Sequence, residues 1–272
     1  NSSPEEQQQA SSAFIKAWDY SYNWNVIITS WIFGKKMTSM GHAVYAQGGV
    51  DRNDNIFSYF KDEDDVLSFD PYEEYEFNKD FIKQLFIDDY NKQRSLYPDC
   101  VAMTGTYVTC MSGLIDMFGW DLLLTAAAID SKQFGQVTNQ YAKYMQQYFD
   151  TLAETDIPVV MVHDDIVWTS GAFLDPQWYR EFVFPNYKKY FAPILESGKK
   201  LIYTSDGNFT EFIDDIADCG VHGFVMEPCT DMAYIASKYG KTHSFTGNAD
   251  TRVLLNGTKE DIYNEVKRCM DI

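Results

Sequence analysis

Four stretches in the second half of the chain decide the fold: IPVVMVHDDI (157–166), KLIYTSDGN (200–208), GFVMEPCTD (223–231) and THSFTGNAD (242–250). Each is a short apolar run that stops at polar or acidic residues, and a helical pattern follows it. Such alternation is typical of parallel strands covered by helices. In a βα barrel the carboxyl ends of the strands form the rim where ligands bind. The acids after these runs are therefore the first candidates for function.

The first half of the chain predicts two further strands and a long connection. Apolar runs predict strands at 24–33 (WNVIITSWIF) and 100–104. Residues 34–59 are rich in Gly, Asn and Asp, and connections of this length are usually functional or mobile. Amphipathic spacing predicts helices at 14–22, 61–65, 78–90, 111–128 with an interruption at Gly119, and 131–154.

Local signals predict where two later helices begin and end. Asp175 followed by Pro176 predicts a helix start, and that helix runs to residue 196 with a kink at Pro185. Thr258 and Asp261 form a capping-box pattern at the start of the last helix. The count of six strands falls short of the eight of a closed barrel. Either the remaining strands are absent from the chain or the barrel is incomplete.

The charge of the chain excludes some partners. It has 22 Lys and Arg against 40 Asp and Glu, which gives a net charge of −18. This charge repels nucleic-acid phosphates and anionic membranes, so neither is an expected partner. The aromatic content of 16 % indicates a packed protein and not a disordered one. With neither a membrane-length apolar stretch nor a signal-peptide pattern in the sequence, we expect a cytoplasmic protein.

The cysteines predict neither a disulfide framework nor a structural zinc site. They are odd in number and scattered, and the sequence contains no CxxC motif and no Cys/His cluster. We expect reduced, mostly buried thiols at Cys100, Cys110, Cys219, Cys229 and Cys269.

Two longer segments resemble a known family. Residues 163–208 (HDDIVWTSGAFLDPQWYREFVFPNYKKYFAPILESGKKLIYTSDGN) and 245–266 (FTGNADTRVLLNGTKEDIYNEV), with the MEP strand end between them, resemble the uroporphyrinogen decarboxylase superfamily. The resemblance is specific over 156–266 and looser over 60–155. It implies a (β/α)₈ TIM-type barrel that lacks its first and last strands here. We therefore expect one domain over residues 1–272, truncated at both ends.

The superfamily implies two chemistries, and the chain departs from the first of them. The decarboxylases remove acetate carboxyls from a tetrapyrrole without a cofactor. They have an Arg-rich first strand, an Asp on the second strand and a His near the last strand, and we find no counterparts of these in the chain. Gly113 stands where they have a Tyr. Asp164 matches their fourth-strand Asp, but Asp165 occupies the position of their Ser. A polycarboxylate needs cations, which only Arg52 or the missing strands could supply.

The second chemistry is methyl transfer between corrinoid proteins and thiols. The resemblance implies a zinc site in that branch, with a His-x-Cys pair after the fifth strand and a further Cys near the end of the barrel. The equivalent positions here are Thr204 and Asp206, and the third falls beyond Ile272. Oxygen ligands have replaced thiolates, so activation of a thiol by zinc is not expected.

The polar residues after the predicted strands are the candidate site. Several acids in one mouth repel one another, which raises some of their pKa values unless a cation or hydrogen-bond donors intervene. That pattern suits a divalent metal bound by oxygen and imidazole, or a carboxylate general base. We predict catalytic roles for Asp164, Asp206 and Glu227, a metal site of His163, Asp206 and Glu227, and substrate binding by Asp165, Ser205, Asn208, Asn248 and Asp250.

Several of these residues also have a structural interpretation. The sequence Asp206-Gly207-Asn208 is typical of a turn with a helix cap, and Asp250 is a typical N-cap. His222 and His243 precede their strands, so we expect them at the opposite face of the barrel in structural roles.

Three functions stay open. The first is methyl transfer from a small methylated substrate that involves a corrinoid carried by a partner protein, and we favour it because the rim is acidic. The second is a decarboxylase or other lyase acting on a carboxylated small molecule or tetrapyrrole. The third is a non-catalytic binding barrel. Bound metal together with methyl transfer supports the first function, release of CO₂ supports the second, and ligand binding without turnover supports the third.

Overall fold

The computed structural model describes residues 3–40, 44–46, 49–51 and 56–272. Its strands are β1 (Val44–Ala46), β2 (Gly49–Asp51), β3 (Thr104–Thr106), β4 (Val159–His163), β5 (Val167–Trp168), β6 (Gly171–Ala172), β7 (Lys200–Ser205), β8 (Gly223–Met226) and β9 (Ser244–Thr246). Its helices are α1 (Pro4–Ala17), α2 (Glu63–Leu67), α3 (Pro71–Glu74), α4 (Lys79–Leu96), α5 (Met111–Ile129), α6 (Ser131–Ala153), α7 (Pro176–Phe182), α8 (Phe184–Glu196), α9 (Ile213–Ala217), α10 (Met232–Tyr239), α11 (Thr251–Asn256) and α12 (Lys259–Asp271). Short 3₁₀ turns lie at Ser30–Phe33 and Thr210–Phe212.

The main sheet contains five parallel strands in the order β3-β4-β7-β8-β9, so the four stretches that decided the fold are confirmed as parallel neighbours. Their register aligns the carboxyl ends. His163 pairs with Thr204 at the end of β4 and β7, and Ser205 pairs with Met226 at the end of β7 and β8. The residues that follow these strands therefore lie along one edge of the sheet. Two small antiparallel hairpins, β1-β2 and β5-β6, lie outside this sheet.

The first predicted strand is only partly correct. In its early part, Ile28 forms a parallel bridge with Thr106 of β3, and Tyr22, just before the predicted strand, forms another with Val101. Its later part is the 3₁₀ turn Ser30–Phe33, because the chain turns away there to begin the long connection. The second predicted strand, 100–104, is observed as β3, which begins four residues later and ends two residues later. The predicted loop 34–59 contains the hairpin β1-β2, and residues 41–43, 47–48 and 52–55 lie outside the described residues.

The two edges of the sheet share one cavity, which indicates that the sheet is curved. This cavity, of about 400 Å³, lies at the amino end of the sheet, and its lining includes Tyr22 and Met103 near β3, and Ser244 and Thr246 in β9. Curvature of this kind is typical of a parallel barrel. The architecture is a curved α/β fold with a parallel sheet, and closure of a barrel stays a prediction.

The helices cover the outer face of the sheet and form the core with it. Helix α6 packs against α5 and α8. The aromatic stripe predicted for α6 is confirmed as core, since Phe134, Tyr141, Tyr148 and Leu152 are all buried. All five cysteines are free, as expected, but only Cys110 and Cys219 are fully buried.

The local helix signals are largely confirmed. Asp175 accepts a hydrogen bond from the N–H of Gln177 and begins α7. The predicted kink near Pro185 is a break at Val183 that separates α7 from α8. Helix α5 is interrupted at Gly119, where φ is 75°.

Within the described residues, α5 is the one helix that is long and apolar enough to cross a membrane. Of its apolar window, 61 % is buried inside the protein. Its apolar surface is therefore used in packing against neighbouring helices, α2 and α6 among them.

Candidate functional site

Three predicted residues meet at the carboxyl edge of the sheet: His163 at the end of β4, Asp165 two residues later, and Asp206 after β7. The His163 Nε2 atom lies 2.9 Å from Asp165 Oδ1 and 3.8 Å from Asp206 Oδ1. The side chains of His163 and Asp165 are buried, whereas the Asp206 side chain is 64 % exposed. We name these three residues the His-Asp-Asp cluster.

Asp165 is held in place by donors on both oxygens. Besides His163, its Oδ1 accepts a hydrogen bond from the N–H of Asp206 at 3.0 Å. Its Oδ2 accepts one from the Tyr107 hydroxyl at 3.0 Å. Burial raises the pKa of Asp165, but the hydrogen bond and charge of His163 and the other donors outweigh burial and lower it to about 2. The carboxylate is therefore ionised at neutral pH.

Aromatic rings enclose His163. The Tyr107 ring lies edge-to-face at 4.4 Å between centroids, and the Trp24 ring at 5.8 Å. Burial and the charge of Asp165 raise the pKa of Tyr107, so its hydroxyl keeps its proton. Sequence reasoning missed both rings. Tyr107 directly follows β3, and this position after a strand could have identified it as a site residue. Nothing in the sequence around Trp24 indicates a place in the site.

Asp164 and Asp165 have different surroundings, although they are adjacent. The buried carboxylate of Asp164 accepts hydrogen bonds from the backbone N–H groups of residues 110–112 and from the Tyr187 hydroxyl. Burial raises the pKa of Asp164 to about 6 in spite of these donors. Because both oxygens face the N-terminus of α5, the structure does not bring this carboxylate into the cluster. The catalytic role of Asp164 stays a prediction that the geometry does not favour.

Glu227 lies beside the cluster without joining it. Its Oε2 accepts a hydrogen bond from the N–H of Gly207 at 2.9 Å. Gly207 has a φ of 85°, and a Cβ atom there would lie 2.8 Å from the Trp168 carbonyl oxygen. Glu227 thus holds the loop that carries Asp206. The predicted metal site consists of His163, Asp206 and Glu227. In the structure, the third residue close to His163 and Asp206 is Asp165 and not Glu227.

Ser205 and Asn208 shape the same loop. The Ser205 hydroxyl donates to the carbonyl of Asp206 at 3.0 Å, and the Asn208 Oδ1 accepts from the N–H of Thr210 at 3.1 Å. The Asn208 side chain therefore closes a local turn just before the 3₁₀ turn Thr210–Phe212, which agrees with the turn part of its structural interpretation. Binding of a substrate by either residue stays a prediction.

Asn248 and Asp250 are also engaged by the protein. Asn248 is buried, donates to the Thr230 carbonyl at 3.0 Å, and accepts from Arg268 on both its oxygens. Asp250 begins α11 as its N-cap and pairs with Arg252 at 2.6 Å. The hydrogen bonds and charge of Arg252 lower the pKa of Asp250 to about 2. These hydrogen bonds do not test the prediction that Asn248 and Asp250 contact the substrate.

The rim is not purely acidic. Arg252, which sequence reasoning did not place there, interacts electrostatically with Glu227 and Cys229. Its guanidinium is bound to Asp250, so much of its charge is already neutralised. Arg52, the other candidate cation, lies outside the described residues. His222 and His243 lie at the starts of β8 and β9, which confirms that they face the opposite end of the sheet.

The donor set of the His-Asp-Asp cluster fits a divalent metal. One imidazole nitrogen and two carboxylate oxygens lie within 4.8 Å of one another, and such mixed sets suit ions such as Zn²⁺, Mn²⁺ or Fe²⁺. Three protein ligands leave a position for water or substrate. The Thr204 hydroxyl donates to the Met161 sulfur at 3.4 Å, so it faces away from the cluster. Among the described residues, the buried His163 Nδ1 has no hydrogen-bond partner.

Comparisons with known proteins agree with the observed fold. A family profile described as "Uroporphyrinogen decarboxylase (URO-D)" matches residues 97–272. A search of curated proteins found no match. Among solved structures, a methyltransferase from Methanosarcina mazei has a similar fold, with a TM-score of 0.59 and 15 % identity over 95 % of this chain and 74 % of that chain. The family profile covers well over half of the sequence, so the chain belongs to the uroporphyrinogen decarboxylase (URO-D) family.

Proposed function

We propose that this chain is a methyltransferase-like enzyme of the URO-D family, which moves a methyl group from a small methylated substrate to a corrinoid carried by a partner protein. The observation that carries the proposal is the His-Asp-Asp cluster at the carboxyl edge of the sheet, the edge where barrel enzymes do their chemistry. The fold shared with a protein named as a methyltransferase supports this choice.

Charge at the rim favours methyl transfer over decarboxylation. A substrate with several carboxylates needs cationic partners that offset its desolvation. The described rim presents Asp165, Asp206 and Glu227, while Arg252 and Arg268 are already paired with acids. A neutral or cationic methyl donor, such as a methylated amine or a methoxylated compound, fits this charge better.

The residues of the cluster have distinct tasks in this reaction. A corrinoid brought by a partner protein would supply the nucleophilic cobalt that accepts the methyl group, and a divalent ion held by His163, Asp165 and Asp206 would supply a Lewis acid for the heteroatom that loses it. Asp165 stays ionised and orients His163. Asp206 extends an exposed carboxylate toward the mouth, where it serves as a metal ligand or as a base. Glu227 fixes the loop that positions Asp206.

The reaction is testable by following cobalt. The purified protein is incubated with a panel of methylated amines and methoxylated compounds and a reduced corrinoid, and the cobalt absorbance is recorded. We expect a spectral change with at least one donor, its loss in Asp206→Ala, and its retention in Asp218→Ala, an exposed acid at the end of α9. Release of CO₂ from a carboxylated substrate, with no change in the cobalt spectrum, would favour the lyase function. Binding of donors without turnover would favour a non-catalytic barrel.

A further inference from the structure

We infer that Ser112 and Asp164 are positioning residues that fix Asp165, and through it His163, by anchoring the N-terminus of α5 to the end of β4. The inference deepens the proposed function, since it assigns a role to residues that lie behind the His-Asp-Asp cluster. Neither residue is expected to touch substrate.

The N-terminus of α5 depends on a carboxylate from another element. Its N-cap residue, Cys110, makes no side-chain cap of its own. Asp164 supplies that cap: its Oδ1 accepts from the N–H groups of Cys110 at 3.0 Å and Ser112 at 2.7 Å, and its Oδ2 from Met111 at 3.1 Å. Three N–H groups and the helix dipole favour a negative charge at this point.

Asp164 is itself fixed in every direction. Its N–H donates to the Thr204 carbonyl at 3.0 Å, which extends the pairing of β4 and β7 by one residue. Its carbonyl accepts from the Tyr203 hydroxyl at 3.2 Å, and its carboxylate accepts from the Tyr187 hydroxyl. The side chain is fully buried. Asp164 therefore transmits the position of the strand to the helix.

Ser112 closes the connection to the cluster. Its N–H donates to Asp164, and its hydroxyl oxygen accepts from the backbone N–H of Asp165 at 2.7 Å. Ser112 thus contacts both acids and fixes the backbone of residue 165. With that backbone fixed, the Asp165 carboxylate faces His163 and Tyr107 instead of the helix.

Supporting residues of this kind control metal affinity. Removing a group that orients a ligand typically lowers metal affinity or activity by roughly 10- to 100-fold. We expect Ser112→Ala to show a loss of this size, because the Asp165 backbone loses its acceptor and the carboxylate can rotate away from His163. The substitution removes one buried hydroxyl and leaves the Asp164 cap of α5 in place.

The test measures binding of Mn²⁺ or Co²⁺ alone by calorimetry, for the full chain and two variants. The control is Thr138→Ala in α6, away from the cluster, which also removes a buried hydroxyl; that hydroxyl donates to the Phe134 carbonyl. We expect at least tenfold weaker metal binding in Ser112→Ala and unchanged binding in Thr138→Ala, with both variants folded at the temperature of the titration. Equal metal affinity in the two variants would overturn the inference.

A second measurement separates this inference from the proposed function. Nitrogen NMR of ¹⁵N-histidine reports the hydrogen bond of His163 without metal or substrate, and His163→Gln assigns its signal among the four histidines. We expect Ser112→Ala to shift that signal and Thr138→Ala to leave it unchanged. If the wild type binds no metal, the metal part of the proposed function fails and this signal alone decides: a shift supports the positioning role, and an unchanged signal rejects it.

Discussion

At the scale of single residues, the adjacent acids Asp164 and Asp165 show how far a strand end can be interpreted from sequence. Both follow an apolar run, so both were candidates for the rim. Successive side chains of a strand point to opposite sides, and here one carboxylate meets a helix N-terminus while the other meets His163. The sequence predicts that acids gather at this edge, but not which of them faces the mouth.

This difference predicts opposite results for two Asp→Ala substitutions. Asp164→Ala leaves three buried N–H groups without an acceptor, so we expect it to lower the free energy of unfolding by about 3 kcal/mol or more. Asp206→Ala alters an exposed side chain, and we expect a change below about 1 kcal/mol with loss of activity. Urea unfolding measures both. A stable, inactive Asp164→Ala protein would return Asp164 to the catalytic group.

Gly207 gives a second prediction at this scale. Gly207 and Gly198 have φ values of 85° and 79°, so an alanine at either position adopts a strained backbone that costs about 1 kcal/mol. At Gly198 the new methyl group meets nothing within 4 Å, whereas at Gly207 it lies 2.8 Å from the Trp168 carbonyl. We therefore expect Gly207→Ala to be the more destabilising of the two in urea unfolding, and to lower activity by moving Asp206. Equal effects would show that the loop can move at no cost.

At the scale of helices and strands, the signals that sequence reasoning used correctly were local ones. The cap at Asp175, the capping box at Thr258 and Asp261, and the interruption at Gly119 each depend on residues within a few positions. The segment 22–33 was harder, because its pairing with β3 depends on residues that lie some 70 to 80 positions away in the sequence. Likewise, the side chain that caps α5 belongs to Asp164, which directly follows β4, and no residue near Cys110 in the sequence indicates this cap.

The close contact between Gly113 in α5 and Tyr141 in α6 leads to a prediction for a pair of substitutions. A Cβ atom on Gly113 would overlap the Tyr141 hydroxyl, which donates to the Val108 carbonyl at 2.6 Å. We expect Gly113→Ala to cost about 1 to 3 kcal/mol in the free energy of unfolding, because the ring must move. Adding Tyr141→Phe removes the nearest overlapping atom and the hydrogen bond that holds the ring, so the ring can move and the double variant is expected to be less destabilised than the sum of the two single ones. Simple additivity in urea unfolding would show that the two residues do not compete for space.

At the scale of the whole molecule, the curved parallel sheet follows from the alternation of apolar runs and helices, and the acidic composition determines which ligands can approach it. The carboxyl edge combines the His-Asp-Asp cluster with Glu227, in a chain whose net charge is −18. The summed field of such a surface attracts cations and repels anions, and salt screens it over a distance of about 10 Å at 0.1 M. Charge therefore selects among the substrates that the fold alone allows.

This field predicts how salt changes ligand binding. We expect binding of a small methylated ammonium ion to weaken by several-fold, at most about tenfold, as the ionic strength rises from about 0.02 M to 0.5 M, because screening removes the long-range attraction. A neutral methoxylated compound is expected to bind equally well across this range. A tricarboxylate is expected to bind weakly at low salt and to gain as repulsion is screened. Calorimetric titration of the three ligands measures these trends. Tight binding of the tricarboxylate at low salt would show that cations outside the described residues dominate the site. That result would favour the lyase function over methyl transfer.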